Sequence, residues 1–557
     1  MVAGSRGIRL LKKGKRGIFR LIFSRLGIFL FLLIFQLGIF FGLFAWFAEL
    51  SKYYFVMSAV LSIIMVFSVI NSWMDSSAKI TWLFIILIVP VFGTLFYFYT
   101  KIDPGNRTLK RRIKDIKELS KDTLTTAPDV LEEVERDSLE TASLATYMNK
   151  SGCFPIFHHT EVTYYPMGED MFVAMVEELR KAESFIFMEY FIIDEGEMWG
   201  TFLDILHDKV RQGVEVRLMY DGMCEFSTLS SDYPERLRKI GIDCRIFAPM
   251  TPFLSTHYNN RDHRKICVID GKVGFTGGVN LADEYINRRE RFGVWKDTAI
   301  MMKGEAVDSL TLMFLEMWCV NESEKKIKRL QYLKNLNRFA RRRKLHRDVI
   351  YEEAGDDFAK YLSVSAEVGK DCAGYVIPFG DTPLDGFKLG EHVYMDILNR
   401  ANHYVHIMTP YLILDDEVAT ALQTAAARGV DVRIILPGIP DKSMPYALAK
   451  SHYEKLLTWG VRIYEFKPGF VHAKVFVSDD LKAVVGTINL DYRSLYHHYE
   501  CGAYLYGVDC ISEIEADFQT TLEDCEEITL TKLKNWDVFP LKARVVSTLV
   551  KAFAPLM

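Results

Sequence analysis

The sequence predicts an α/β protein built from two copies of one strand-and-helix unit behind an N-terminal block of transmembrane helices. Three observations predict it: long uncharged apolar runs confined to the first hundred residues, strand-like segments that recur at a nearly constant offset, and a short His-Lys-Asp pattern present once in each copy. At 557 residues the chain exceeds what a single core holds, so two or three domains are expected.

The apolar block comes first. Leu26 to Ala48 is a run of 23 residues without a charge, with Gln36 its only strongly polar member. Phe55 to Trp73 and Ile80 to Tyr99 are further uncharged runs of 19 and 20 residues. At 1.5 Å per residue, about 20 apolar residues cross a hydrocarbon layer of about 30 Å, so each run is long enough to span. A cleaved signal peptide has a shorter apolar stretch and is not followed by two more. Residues 1 to 25 carry eight Lys or Arg and no acid, and residues 101 to 117 carry seven more. The positive-inside bias therefore places both flanks on the cytoplasmic side, which three full crossings cannot satisfy. The expectation is a multi-pass plasma-membrane protein with its catalytic part facing the cytoplasm. Nine scattered cysteines, none in a CxxC pair, agree with reduced thiols in that compartment.

The rest of the chain repeats. Ser184–Ile193 reads as an apolar strand, followed by a helical stretch and then Arg211–Tyr220; Tyr404–Ile413 and Ala427–Ile435 reproduce this order. Gly213 and Gly429 are 216 residues apart, Gly241 and Gly460 are 219 apart, and His263 and His472 are 209 apart. The first copy thus carries a loop about ten residues longer ahead of its histidine. Strands alternating with helices predict a mostly parallel or mixed sheet in each copy, and duplication predicts two units packed face to face with a site at their junction. The expected boundaries are a basic tail (1–25), an anchor of two or three helices (26–100), a linker (101–145), a first domain (146–324), a basic linker (325–365) and a second domain (366–557). Within the basic linker, Lys325–Arg347 holds eleven Lys or Arg among apolar residues. Such a segment suits either a solvated helix or an anionic lipid surface.

The chemistry resides in the repeated pattern His-x-Lys-x4-Asp: His263, Lys265 and Asp270 in the first copy, His472, Lys474 and Asp479 in the second. A turn of small residues follows each and ends in asparagine: Gly277, Gly278 and Asn280, then Gly486, Thr487 and Asn489. Residues two apart in a strand share a face, so each histidine lies beside its lysine. One imidazole near neutral pH can attack phosphorus while a second protonates the leaving oxygen. Ammonium and amide groups (Lys265, Lys474, Asn280, Asn489) supply donors to the phosphate oxygens as their charge grows. That set handles a phosphodiester without a metal ion. No Walker or dinucleotide fingerprint is present, so no nucleotide cofactor is expected.

At these residues the sequence resembles the phospholipase D superfamily. Gly277–Tyr285, Gly486–Ser494 with Glu500 downstream, Thr409–Pro–Tyr411, and the stretch from Ser77 to Gly93 resemble the bacterial cardiolipin synthases within it. The resemblance implies two pseudo-symmetric α/β/α sandwich domains of the phospholipase D type and transfer of a phosphatidyl group between two phosphatidylglycerols, releasing glycerol. By analogy His263 is the nucleophile and His472 the acid, although the pseudo-symmetry allows the exchange. Asp270 and Asp479 are expected to support the motif, and Gly278, Thr487 and Glu500 to line it, Glu500 by hydrogen-bonding a histidine. A hydrolase would use the same histidines with water as acceptor. A nucleic-acid substrate is not expected, since the net charge is −4 and the anchor holds the site at lipid. A non-catalytic scaffold would be expected to have lost a motif residue, and none is missing.

Overall fold

The computed structural model describes residues 34–38, 41–42, 48–101, 104–121, 123–249, 260–322, 327, 358–362 and 372–535. The basic tail, most of the run 26–48, and the basic segment 325–347 apart from Ile327 lie outside them. The described residues fall into two compact units, one holding the apolar helices up to Thr108 and the other Leu109–Pro249 with the chain from Asn260 onward.

In the apolar unit, helix α1 (Ala48–Ile70) is the only described helix long and apolar enough to cross a membrane. Only 17% of its Tyr53–Ile70 window is buried, and Val56, Met57, Ile63, Ile64 and Phe67 are exposed. A soluble core helix would hide these side chains; a lipid-facing one leaves them bare. The expected span Ile80–Tyr99 is not one helix. It is two, α2 (Ser76–Ile88) and α3 (Pro90–Lys101), which at 13 and 12 residues are each shorter than about 20 Å along the axis. Pro90 causes the break, because its ring excludes the residue before it from helical geometry, and Val89 sits at φ −132°, ψ 75°. The two short helices pack closely: Trp82 meets Phe96 and Tyr97 at 5.4 and 5.2 Å, and Gly93 leaves no room for a side chain against Ile86. Gln36 has its reason here, since its Oε1 accepts the Phe92 N–H at 2.7 Å, an amide that the first turn of a helix leaves unpaired. The expected multi-pass anchor therefore reduces to a single helix of spanning length among the described residues.

The larger unit contains two mixed sheets of like topology. In the first copy the strands are β1 (Thr160–Tyr165), β2 (Phe185–Tyr190), β3 (Glu215–Asp221), β4 (Asp243–Phe247), β5 (Lys265–Ile269), β6 (Val273–Gly277), β7 (Val294–Lys296) and β8 (Ala299–Gly304). The second copy supplies β9 (Tyr375–Asp381), β10 (Tyr404–Met408), β11 (Asp431–Pro437), β12 (Arg462–Phe466), β13 (Gly469–Val471), β14 (Val475–Ser478), β15 (Lys482–Gly486), β16 (Glu500–Tyr506) and β17 (Cys525–Ile528). The first sheet runs β1-β8-β6-β5-β2-β3-β4, and the second runs β9-β16-β15-β14-β10-β11-β12 with β17 added at its edge. In both, three parallel strands adjoin an antiparallel set that carries the motif.

Each sheet is covered on both faces, as the unbroken apolar strands require. Along β2, Phe185 and Phe187 enter one core while Ile186, Met188 and Tyr190 enter another; along β5, Ile266 and Val268 alternate with Cys267 and Ile269. This is the period-two pattern of a strand buried on both sides. The helix Val307–Val320 is buried along nearly its whole length, with Phe314 stacked on Phe187 at 4.7 Å. None of the nine cysteines is in a disulfide.

Two aspartates of the motif hold this architecture at a distance from the histidines. Asp270 follows β5, five residues beyond Lys265 or roughly 17 Å at strand rise, and its carboxylate accepts the N–H groups of Glu183, Ser184 and Phe185 at 2.7–2.8 Å. Asp479 does the same for Asn402, His403 and Tyr404. Both adopt positive φ, 54° and 57°. They tie the motif strand to the entry of the neighbouring strand and take no place beside the rings. Asp270→Ala is therefore expected to lower stability by about 2 kcal/mol, through amides left without an acceptor, while the folded fraction keeps its turnover. Chemical denaturation alongside an activity assay checks this.

Candidate active site

The two histidine motifs are held in one shared site, and each is clamped by the opposite copy. The His263 N–H donates to the Tyr499 carbonyl at 2.9 Å, and the next residue, Glu500, accepts from the same ring's Nδ1, both carboxylate oxygens lying at 2.9 Å. The His472 N–H donates to the Lys296 carbonyl at 2.7 Å, and the next residue, Asp297, accepts from that ring's Nδ1 at 2.6 Å. Strand β7, which leads into Asp297, pairs in parallel with β13, which leads into His472, so backbone pairing sets this register. Glu500 and Asp297 are fully buried, and His263 and His472 are 6% and 8% exposed. With Nδ1 committed to a carboxylate, Nε2 is the nitrogen left to react on both rings.

Around this frame the remaining motif residues divide by role. Lys265 and Lys474 are 1% exposed, and each amine turns back to the carbonyl of its own histidine, Lys265 at 2.5 Å. Lys474 Nζ also lies 2.8 Å from His472 Nδ1. Asn280 accepts from the Ile192 N–H and donates to the Tyr285 hydroxyl, whose ring stands edge-on to His472. Asn489 keeps a buried Oδ1 with no partner among the described residues. Gly278 is required by the clamp, since a Cβ there would come within 1.9 Å of the Asp297 carboxylate. At the equivalent place Thr487 instead donates its hydroxyl to Glu500. Asp297 was missed in the sequence because it belongs to no motif spacing. The signal that finds it is its place in the repeat, 203 residues ahead of Glu500.

Burial sets the electrostatics. It pushes the His263 imidazole down to about 3, against the pull of Glu500, and His472 down to about 4, with Lys474 adding to the effect and Asp297 opposing it. Both rings are therefore neutral at pH 7 before a substrate enters, and a phosphodiester anion beside them shifts the balance toward the protonated form. Burial likewise lowers Lys265 to about 8 and Lys474 to about 7. Burial alone would raise Glu500, but His263 and the hydrogen bonds around it hold the carboxyl well below the usual range. The Lys265 amine acts on both His472 and Lys474, so the motifs of the two copies share one field.

Ligand atoms of His263, His498 and Glu500 lie within 4.8 Å of one another. The hydrogen bonds from imidazole to carboxylate account for that spacing. Glu391, Asp415 and Glu417 also gather, with the Lys388 amine 3.7 Å from Glu391 and the Tyr496 hydroxyl donating to Asp415. Two imidazoles, two amines and carboxamides drawn from both copies can carry a phosphoryl group between alcohols.

A duplicated sheet with a histidine, lysine and asparagine from each copy, locked together by carboxylates exchanged between copies, defines a phospholipase D-type phosphotransfer enzyme. Residues 175–318 and 394–522 match the family described as "Cardiolipin synthase, PLD-like domain", and residues 60–100 match "Phospholipase_D-nuclease N-terminal". The chain is 32% identical to cardiolipin synthase 2 of Bacillus anthracis, covering 86% of this chain and 87% of that one. It is 29% identical to the cardiolipin synthase of Halalkalibacterium halodurans over 96% of this chain and all of that one, and 52% identical to an uncharacterized protein of Streptococcus mutans over 88% and 98%. The crystal structure of phosphatidylserine synthase from Haemophilus influenzae shares the fold, with a TM-score of 0.53 at 16% identity over 75% of this chain and 98% of that one. The chain belongs to the cardiolipin synthase family of the phospholipase D superfamily, and it is a phospholipid phosphatidyltransferase.

Proposed function

We propose that the protein is a cardiolipin synthase that moves a phosphatidyl group from one phosphatidylglycerol to another through a phosphatidyl-histidine. In the first half-reaction His263 Nε2 attacks phosphorus; the N–P bond forms as the P–O bond to glycerol breaks, and the proton on His472 Nε2 goes to the departing glycerol oxygen. In the second, His472 takes a proton from a hydroxyl of the second phosphatidylglycerol, that oxygen attacks phosphorus from the opposite side, and His263 leaves. The reaction is symmetric in its bonds, which suits a site built twice. Lys265, Lys474 and Asn489 donate to the nonbridging oxygens, where charge is greatest as the apical bonds exchange. The observation that carries the reading is the exchange of Glu500 and Asp297 between copies, which holds Nδ1 of each ring and leaves Nε2 as the reacting nitrogen.

The same reading gives the protein a membrane anchor in α1 and a catalytic part on the cytoplasmic side, where basic flanks meet anionic lipid. With Ile80–Tyr99 broken at Pro90, α1 is the one helix of spanning length among the described residues, and fewer than three crossings would relieve the conflict between the two basic flanks. Purified protein given phosphatidylglycerol alone is expected to make cardiolipin and glycerol in equal amounts, by lipid chromatography and an enzymatic glycerol assay. A strict requirement for CDP-diacylglycerol would refute the proposal, and phosphatidic acid as the main product would make the enzyme a hydrolase.

A further inference from the structure

Beyond the exchanges of Gly278 for Thr487 and Asp297 for Glu500, the two halves of the site differ in the residue that packs on each clamped ring. Two positions ahead of each clamping carboxylate stands an aromatic side chain packed on the clamped ring: Trp295 at 5.4 Å from His472, and His498 at 5.5 Å from His263. The indole carries no ionisable group, which leaves Asp297 to one imidazole and the Lys474 amine. The imidazole does share: His498 Nδ1 lies 3.6 Å from Glu500 Oε1, is buried, and has no hydrogen-bond partner within the described residues. His498 itself is 8% exposed, and Phe191 packs against it and His263 at 6.4 and 4.9 Å. Glu500 thus stands between two imidazoles, and Asp297 serves one.

We infer that His498 is a positioning residue that draws part of the Glu500 charge away from His263 and so makes the two histidines unequal, keeping His263 the neutral, attacking ring and leaving His472 to hold the proton. The inference rests on the proposed two-histidine mechanism. A carboxylate that backs one imidazole alone favours its protonated form; one divided between two favours each less. The other charged groups about His263 and His498 do not undo this. Lys265 opposes the proton on His263 from its own strand; Asp491, buried and hydrogen-bonded to the Ser494 N–H, acts on His498 and Glu500; Asp297 holds the other ring, and Lys474, beside that ring, also feels Glu500.

The test is the pH profile of the attack step for the full-length protein, read with a p-nitrophenyl phosphodiester whose leaving group needs no acid. In His498→Phe the whole charge of Glu500 falls on His263, so its neutral form is lost at higher pH, and the acid limb of kcat/KM is expected to move up by about one pH unit with KM little changed. His498→Asn keeps a neutral donor near Glu500 and is expected to move the limb in the same direction by less. An acid limb unmoved in the folded variants, or moved to lower pH, would overturn the inference; if the Phe variant fails to fold, the Asn variant decides by the same criterion. A wild type that cleaves the chromogenic diester yet makes no cardiolipin would sink the proposed function and leave this inference standing. An unmoved limb in a wild-type-competent cardiolipin synthase does the reverse, and a wild type that cleaves neither substrate overturns both.

Discussion

Replacing either histidine is expected to remove nearly all transfer, and the two losses are expected to differ in kind. His263→Ala takes away the atom that bonds to phosphorus, and kcat should fall by more than about 10⁴-fold on any substrate. His472→Ala removes the proton donor. Glycerol is a poor leaving group, so on phosphatidylglycerol the loss should reach about 10²- to 10⁴-fold. On a p-nitrophenyl diester, whose phenolate leaves unaided, the first step of the same variant should be nearly wild type, visible as a burst of p-nitrophenol with slow turnover after it. Rates on the two substrates for the two variants give four numbers, and only this division of labour makes one of them large. Either variant keeping a tenth of the wild-type rate on phosphatidylglycerol would contradict shared catalysis, and a burst in His263→Ala with none in His472→Ala would exchange the assignments.

Neutralising the clamps comes next in size. In Asp297→Asn and Glu500→Gln the amide keeps the shape of the side chain and no longer holds Nδ1 as the donor, so each ring can present the wrong nitrogen. A carboxylate that sets a catalytic histidine's tautomer contributes up to about 10⁴-fold. Because the clamps are exchanged between copies, the asparagine in the first copy should behave as a lesion of His472: severe on phosphatidylglycerol, mild in the p-nitrophenol burst. The glutamine in the second copy should behave as a lesion of His263 and be severe on both. Effects confined to the histidine of the same copy would mean that the exchange of carboxylates is not maintained in solution. Each change also removes a counter-charge of the buried Lys265 and Lys474 amines, so thermal unfolding of each variant is measured beside its kinetics.

Much of this arrangement was legible because strand geometry writes itself into spacing. His263 with Lys265 and His472 with Lys474 fall two apart, and the alternation of Ile266 and Cys267, or Val475 and Phe476, marks a strand buried on both faces. The duplication then gave the topology of the second sheet from that of the first. Asp297 was not legible, because its partner is 175 residues away on the other copy and its only mark is the register of β7 against β13. The motif assigned Asp270 a supporting part but not its partners; it lies at the far end of β5, where a residue with positive φ turns its carboxylate onto three amides. The Ile80–Tyr99 run read as one span because counting apolar residues ignores backbone sterics. Pro90 stops the helix there whatever the hydropathy, and Gln36, polar in an apolar run, is matched by the Phe92 amide that this break exposes.

Two in-line displacements, one at each face of the same phosphorus, are what a histidine from each copy is arranged to perform. The stereochemical course at phosphorus tests this most directly. Phosphatidylglycerol made chiral at phosphorus with oxygen isotopes should yield cardiolipin whose transferred phosphate retains its configuration, each of the two steps inverting it once. Inversion would mean that one lipid hydroxyl displaces glycerol in a single step, with no histidine bonded to phosphorus between them.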